Sequence, residues 1–300
     1  MRRDVDFENV KRGYLSNDFS FFNLSDTKEL KIESHYHDFH KIVIFLSGEV
    51  TYYVEGIGYQ LKPWDILLIH QDTIHKPVIN MVVPYKRMIL WVKPSFLQKN
   101  RDDEINLLTC FELAYQQKSN LLRTSPELLI LIKSILEQIH NTCQNEQFGD
   151  KVLRNSLFLQ LIIHINRMAL ATDVMSTGIE RDEMICEVLK YIDQNIAHDL
   201  SIEKISAVFF LSKYHLMRKF KQHTGHTIHN YTLQKRLIAA NQLIRAGQPI
   251  TTACLDSGFH DYSNFNRAFK KMYGVSPKFY NDLADMTRNK IPSYVCPTYN

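Results

Sequence analysis

Two short runs, Leu216-Met217-Arg218-Lys219-Phe220-Lys221 and Phe265-Asn266-Arg267-Ala268-Phe269-Lys270, repeat one pattern at a constant offset of 49 residues. On a helix, residues four apart share a face. Leu216 with Phe220, and Phe265 with Phe269, therefore form buried faces. Met217 and Asn266, Arg218 and Arg267, and Lys221 and Lys270 then point away from the core. Each copy presents an arginine and a lysine from a helix held by its other side. That is the chemistry of polyanion recognition: guanidinium forks pair with phosphates or with base edges, and ammonium groups neutralise phosphate charge.

A second group of reactive side chains lies far upstream: His35-Tyr36-His37, Lys41 and His75. Three histidines that converged could form a zinc-type site. Lysine opposes that, because a protonated ammonium has no lone pair to give. The same four residues, His35, His37, Lys41 and His75, could instead line a pocket for a small effector, or serve only as satisfied polar packing. His40 and His70 have no comparable positional argument.

The elements that position the repeated runs read as helices broken by tight turns. Ser201 caps a short helix beginning at Ile202, a turn passes through Phe209-Phe210-Leu211, and Ser212 caps the next helix, which Thr224-Gly225 ends. Asp261 falls opposite Ser212 as the cap of the second copy. Short helix, tight turn and basic second helix is the helix-turn-helix arrangement, expected over 202–223 and again over 250–273. Between the copies runs a strongly periodic helix, from about Ile228 to Ala246, ended by Gly247 and Pro249. Nineteen or so residues span roughly 28 Å, against roughly 34 Å for a turn of B-DNA. A rod of that length can set two helices into successive major grooves.

Upstream, residues 32–92 read as short strands, among them Lys41–Leu46, Val50–Val54, Ile66–Ile69 and Met88–Val92. Turn signals stand at Ser47-Gly48-Glu49, Glu55-Gly56-Ile57-Gly58 and Lys62-Pro63-Trp64-Asp65. This spacing predicts a small barrel or double-sheet jelly roll. After Pro94 the period becomes helical. Ser125-Pro126 opens one helix, with Leu128, Leu129, Leu131, Ile132, Ile135, Leu136 and Ile139 as its apolar set. A second helix runs from about Phe148 to Leu170 with Val152, Leu153, Leu157, Phe158, Leu161, Ile162 and Ile165. The pair forms an antiparallel hairpin that either packs on the barrel or supplies a dimer contact. Thr172–Gly178 is the linker candidate.

The charge is divided in the same way. The whole chain of 300 residues carries a formal +4, but residues 1–180 sum to −2 and residues 181–300 to +6. The basic excess belongs to the half with the repeated helices. The opening run from Met1 to Glu8 mixes signs with no apolar segment behind it, unlike a signal or transit peptide, and Leu157–Ile165 is too short to span a bilayer. A cytoplasmic protein is expected. Five scattered cysteines, Cys110, Cys143, Cys186, Cys254 and Cys296, have no Cys-x-x-Cys spacing and read as reduced thiols.

The run from Gly258-Phe259-His260-Asp261-Tyr262-Ser263-Asn264 through Met272-Tyr273-Gly274-Val275-Ser276-Pro277-Lys278-Phe279-Tyr280 closely resembles the signature of the AraC/XylS family of transcription regulators. The likeness extends over about residues 182–283. Cys254, where alanine is usual, and Ala253, where a larger aliphatic is usual, depart from the family pattern. The resemblance implies a seven-helix DNA-binding domain that controls transcription at specific sequences. Carried over position by position, it assigns Tyr214, Met217 and Arg218 of the first recognition helix, and Tyr262, Ser263, Asn266 and Arg267 of the second, to the grooves. Lys221, Lys270 and the N–H groups above Ser212 and Asp261 suit phosphates. The residues His35, His37, Lys41, Gly48, Gly58 to Asp65 and His75 resemble the two cupin motifs of this family's sensor domains. Lys41 stands at the usual glutamate position, however, and Trp64 at a usual glycine.

The expected fold is thus α+β multidomain: a cupin-like effector domain over 1–98, a helical dimerisation or linker region over 99–178, an AraC-type DNA-binding domain over 182–285 and a tail over 286–300. The expected function is a sequence-specific regulator, not an enzyme, with no cofactor. Its partners would be double-stranded operator DNA, a small effector for which the family suggests a sugar, a second copy of the chain and RNA polymerase. The rival is a metal-dependent cupin enzyme carrying a DNA-binding tail. That reading needs an open metal position, which Lys41 argues against.

Overall fold

The computed structural model describes residues 15, 17–27, 32, 34–80, 82–101, 104–144, 147–171 and 182–288. The expected linker at 172–178, the opening run to Glu8, Cys296 and the tail from residue 289 lie outside the described residues. The chain divides into two compact units that part between Asp182 and Glu183.

The first unit is built on β1 (Phe19–Asp26), β2 (His40–Ser47), β3 (Glu49–Val54), β4 (Ile57–Gln60), β5 (Ile66–Ile69), β6 (His75–Asn80), β7 (Tyr85–Val92) and β8 (Leu121–Leu122). They form two sheets, one of five strands in the order β1-β7-β2-β5-β8 and one of three in the order β4-β3-β6. Of the two expected forms, this is the double-sheet one.

Strand periodicity decides what each sheet face meets. On β2, Ile42 and Ile44 turn to a core shared with the helices, where they join Leu90, Phe111, Ile135, Phe158 and Leu161. Val43 and Phe45 turn the other way and pack with Val50, Tyr52, Val54, Tyr59, Leu67 and Ile69, between the two sheets. Lys41 has the same parity as Val43. It therefore projects into the space between the sheets, opposite Ile69 on one side and Trp91 on the other.

The helices of this unit are α1 (Pro94–Lys99), α2 (Thr109–Gln116), α3 (Pro126–Gln144) and α4 (Asp150–Ala171). Ser125 opens α3 as expected, its hydroxyl accepting from the Leu128 N–H. The hairpin of α3 and α4 packs on the five-stranded sheet, with Phe158 stacked on Phe19 at 4.2 Å between ring centroids. Ile132, Ile135, Leu136 and Ile139 are buried, as are Leu157, Phe158, Leu161, Ile162 and Ile165. Leu131, Val152 and Leu153 are exposed instead, because the hairpin has one sheet to cover and these residues lie beyond the edge of that contact.

The second unit is all-helical: α5 (Glu183–Gln194), α6 (Ile202–Val208), α7 (Lys213–Thr224), α8 (Ile228–Arg245), α9 (Ile250–Asp256), α10 (Tyr262–Tyr273) and α11 (Pro277–Arg288). These are seven helices among the described residues, the number that the resemblance implies. No helix of the described residues is long and apolar enough to cross a membrane.

Candidate nucleic-acid interface and effector site

The helix pairs α6–α7 and α9–α10 are the two helix-turn-helix units. Ser201 caps α6 by accepting from Lys204 N–H, and Ser212 caps α7 by accepting from His215 N–H at 3.3 Å. Asp261 does the same for α10, accepting from Asn264 N–H at 2.6 Å. Each cap fixes where its recognition helix begins, and Gly225 and Gly274, both with positive φ, mark where each ends.

Leu216, Phe220, Phe265 and Phe269 are each fully buried. The opposite faces are open. Ser212, Tyr214, Met217, Arg218 and Lys221 are exposed on α7, and Asp261, Tyr262, Ser263, Arg267 and Lys270 on α10, with Asn266 half-buried. The structure thus brings all eleven sequence-assigned residues to the two recognition helices or their caps. Cys254 and Ala253 are buried in the core of the second unit beside Phe265 and Phe269, so the smaller residues of α9 are accommodated by close packing.

The two units are not perfect copies. The turn of the first is closed by Leu211 N–H donating to Ser206 C=O, that of the second by Phe259 N–H donating to Cys254 C=O. These pairs are 48 apart, one fewer than the recognition helices, so His260 is an extra residue between turn and cap in the second unit. The left-handed position of the turn falls on Phe210 (φ 54°) in the first and on Gly258 (φ 86°) in the second. Only the second needs glycine. A Cβ on Gly258 would lie 2.4 Å from the Ile196 carbonyl oxygen and 2.8 Å from Arg236 Nε.

Arg236 sits midway along α8 and clamps that junction, donating to Ile196 C=O at 3.0 Å and to His198 C=O at 2.7 Å. Lys235, one residue earlier, pairs with Asp193 of α5 at 3.1 Å. The connecting helix is therefore tied to the first helix-turn-helix side by α5 and its following loop, and to the second by Gly258. Its 18 residues give a rod of roughly 27 Å. Thr227 caps its start and Gly247 ends it in the left-handed conformation.

In the first unit the sequence-assigned His35, His37, Lys41 and His75 do converge. His35 and His75 exchange backbone hydrogen bonds in an isolated bridge, and the ring centroids of His35 and His37 stand 4.3 and 4.8 Å from that of His75. Lys41 reaches across the sheets, donating to Tyr52 Oη at 3.0 Å and lying 3.4 Å from His75 Nε2. Burial pushes the Lys41 ammonium down to about 7, with the nearby Arg87 guanidinium adding to the effect. Burial also holds His37 and His75 well below the usual histidine range, and Lys41 lowers both further. Arg87 is paired with Asp26 across β1 and β7.

Tyr52 and Arg87 were not singled out by the sequence. Tyr52 sits in an apolar-looking strand, and only the pairing of β3 with β6 brings it beside His75. His40 faces the helical core, stacked on Phe111 at 4.4 Å, and accepts from Gln71 N–H. It is a packing histidine. Trp64, at the usual glycine position, adopts φ 71° and is covered by the Lys133 ammonium 4.3 Å from its ring. Among the described residues no group of three or more His, Cys, Asp or Glu is arranged to hold a metal ion.

A family model described as "AraC-like ligand binding domain" matches residues 26–162, and one described as "Helix-turn-helix domain" matches residues 205–282. The HTH-type transcriptional activator RhaS of Enterobacter sp. (strain 638) is 25% identical over 250 residues, covering 81% of this chain and 85% of that protein. RhaS of Salmonella agona is 26% identical over 254 residues with the same coverage. A solved structure of a probable AraC family transcriptional regulator from Rhodopseudomonas palustris is 25% identical, covering 34% of this chain and 98% of that one, with a TM-score of 0.32. The buried pattern of α7 and α10, the double-sheet domain ahead of them, the two family models and the RhaS relatives agree: the chain is a homologue of the AraC-family RhaS regulators, with an AraC-like ligand-binding domain followed by a helix-turn-helix DNA-binding domain.

Proposed function

We propose that α7 and α10 enter successive major grooves on one face of the operator, set apart by α8. The observation that carries this is the pair of exposed basic faces on helices whose opposite faces are fully buried, joined by a helix clamped at Arg236. Arg218, Asn266 and Arg267 make hydrogen-bonded base contacts, Tyr214 and Met217 apolar ones, and Tyr262 and Ser263 line the second groove. Lys221, Lys270 and the helix N-termini above Ser212 and Asp261 hold phosphates. Footprinting on the DNA upstream of the chain's own gene and its neighbours tests this. Protection of two segments about one helical turn apart per protomer is expected, and a single short footprint would refute it.

The sensor half of the reading places a small-molecule effector among His35, His37, Lys41 and His75. The enzyme alternative needs an open metal position. Lys41 Nζ lies 3.4 Å from His75 Nε2, where it competes with a metal for that lone pair. Stoichiometric zinc or iron in the purified protein, lost on replacing His37 and His75, would favour the enzyme.

The regulator acts as a cytoplasmic homodimer in this reading. Val152, Leu159, Ile163 and Leu170 recur at spacings of seven, four and seven along α4, and Val152, Ile163 and Leu170 are exposed. Such a stripe suits a helix-to-helix contact with a second copy. Light scattering of Ile163→Glu tests it: a monomer is expected, and an unchanged dimer would move the contact elsewhere.

A further inference from the structure

The polar cluster between the sheets has an unbalanced set of donors and acceptors. His37 Nδ1 lies 2.7 Å from Phe39 C=O, and His75 Nδ1 lies 2.9 Å from Thr73 C=O. A carbonyl only accepts, so each Nδ1 carries the ring proton and each Nε2 is a bare lone pair. That of His75 faces Lys41. That of His37 is fully buried and has no hydrogen-bond partner.

Lys41 has the complementary deficiency. Its ammonium carries three N–H donors, of which one goes to Tyr52 Oη and one faces His75 Nε2. No ion pair forms to it among the described residues, although only 6% of the residue is exposed. The nearby Arg87 is a second cation whose own partner is Asp26. Tyr52 Oη accepts from Lys41, and no acceptor for its own proton is found among the described residues. A buried cation without an anion, a spare phenol proton and an empty imidazole lone pair therefore surround His75.

We propose that the effector is a hydroxy acid: its carboxylate accepts from Lys41 and Tyr52, and an adjacent hydroxyl donates to His37 Nε2. This rests on the reading of the cluster as the effector site and adds its ligand chemistry. A neutral polyol would satisfy His37 but leave the buried ammonium uncompensated. A phosphate dianion would bring more charge than one free cation can balance. A single carboxylate matches it. Charge-assisted hydrogen bonds of this kind are about twice as strong as neutral ones. The depressed protonation of Lys41 agrees with a site that lacks its anion.

The test uses the full chain and matched probes at constant ionic strength: galacturonate against galactose, gluconate against sorbitol, and glycerate against glycerol. At about 10 mM, at least one acid should raise the unfolding temperature by about 3 °C while its neutral counterpart does not. Lys41→Met should fold, since it removes a buried charge, and should abolish that shift. His37→Leu should reduce it, read as the acid's shift relative to the variant's own melting point. A neutral counterpart that stabilises as well as its acid, or a Lys41→Met variant that keeps the acid's shift, overturns the hydroxy-acid assignment and leaves the effector site standing. No shift with any member of either series overturns both.

Discussion

The Arg267 guanidinium donates to the Asn264 side-chain carbonyl one turn earlier on α10, at 2.5 Å. Both residues are exposed, so this contact orders the arginine fork on the face assigned to the groove. Arg267→Ala is expected to weaken binding to the specific operator by about 1–3 kcal/mol and to relax preference at one base position. Asn264→Ala, which frees the fork without removing it, should cost less. Gel-shift titrations on operator and scrambled DNA check this. An equal loss on both DNAs would make Arg267 a phosphate contact.

Gly258→Ala is expected to destabilise the DNA-binding unit by about 2 kcal/mol or more. The added methyl would meet the Ile196 carbonyl oxygen at 2.4 Å, and alanine at φ 86° is strained whatever the space. Urea melts followed by circular dichroism give the magnitude, and a wild-type midpoint would refute the clash.

The helical half was legible because its signals are local. The buried pairs Leu216/Phe220 and Phe265/Phe269, and the caps at Ser201, Ser212 and Asp261, lie within a turn or two of one another. The sensor site was half legible. The resemblance to the cupin motifs picks out His35, His37, Lys41 and His75, but Tyr52 meets His75 only through the β3–β6 register, and Arg87 approaches through β7. Strand pairing over such separations leaves no periodic trace in the sequence. Leu131, Val152 and Leu153 show a related limit: apolar periodicity marks a face that either packs on the sheet or meets a second copy, but not how much of it the sheet covers, and these three are exposed.

Trp64 presents a case where side-chain packing outweighs backbone preference. It holds φ 71° while its ring packs against the helical core and Lys133. Trp64→Ala loses the packing and keeps the strain, whereas Trp64→Gly loses the packing and relieves it. The glycine variant should therefore be more stable than the alanine variant by about 1 kcal/mol. Equal midpoints in denaturant melts would show that the turn relaxes around alanine.

The buried bases of the sensor unit make its stability rise with pH. His37, His40 and His75 are held well below their ordinary value of 6.5 by burial, so below that pH the unfolded chain binds more protons than the folded one. Stability is then lost on acidification from 6.5 downward. Lys41 titrates at about 7 folded and at 10.5 when unperturbed, so its contribution rises across that interval and is flat below it. Above about 9 the buried Cys110 thiol, pushed up to about 12, acts in the opposite direction, because the unfolded chain releases its proton first. The window from about 7 to 8.5 therefore isolates the lysine. Melting temperatures of wild type should climb through that window while those of Lys41→Met stay level, and both should fall together below pH 6.5. A Lys41→Met variant with the wild-type slope between 7 and 8.5 would place the titrating group elsewhere in the chain.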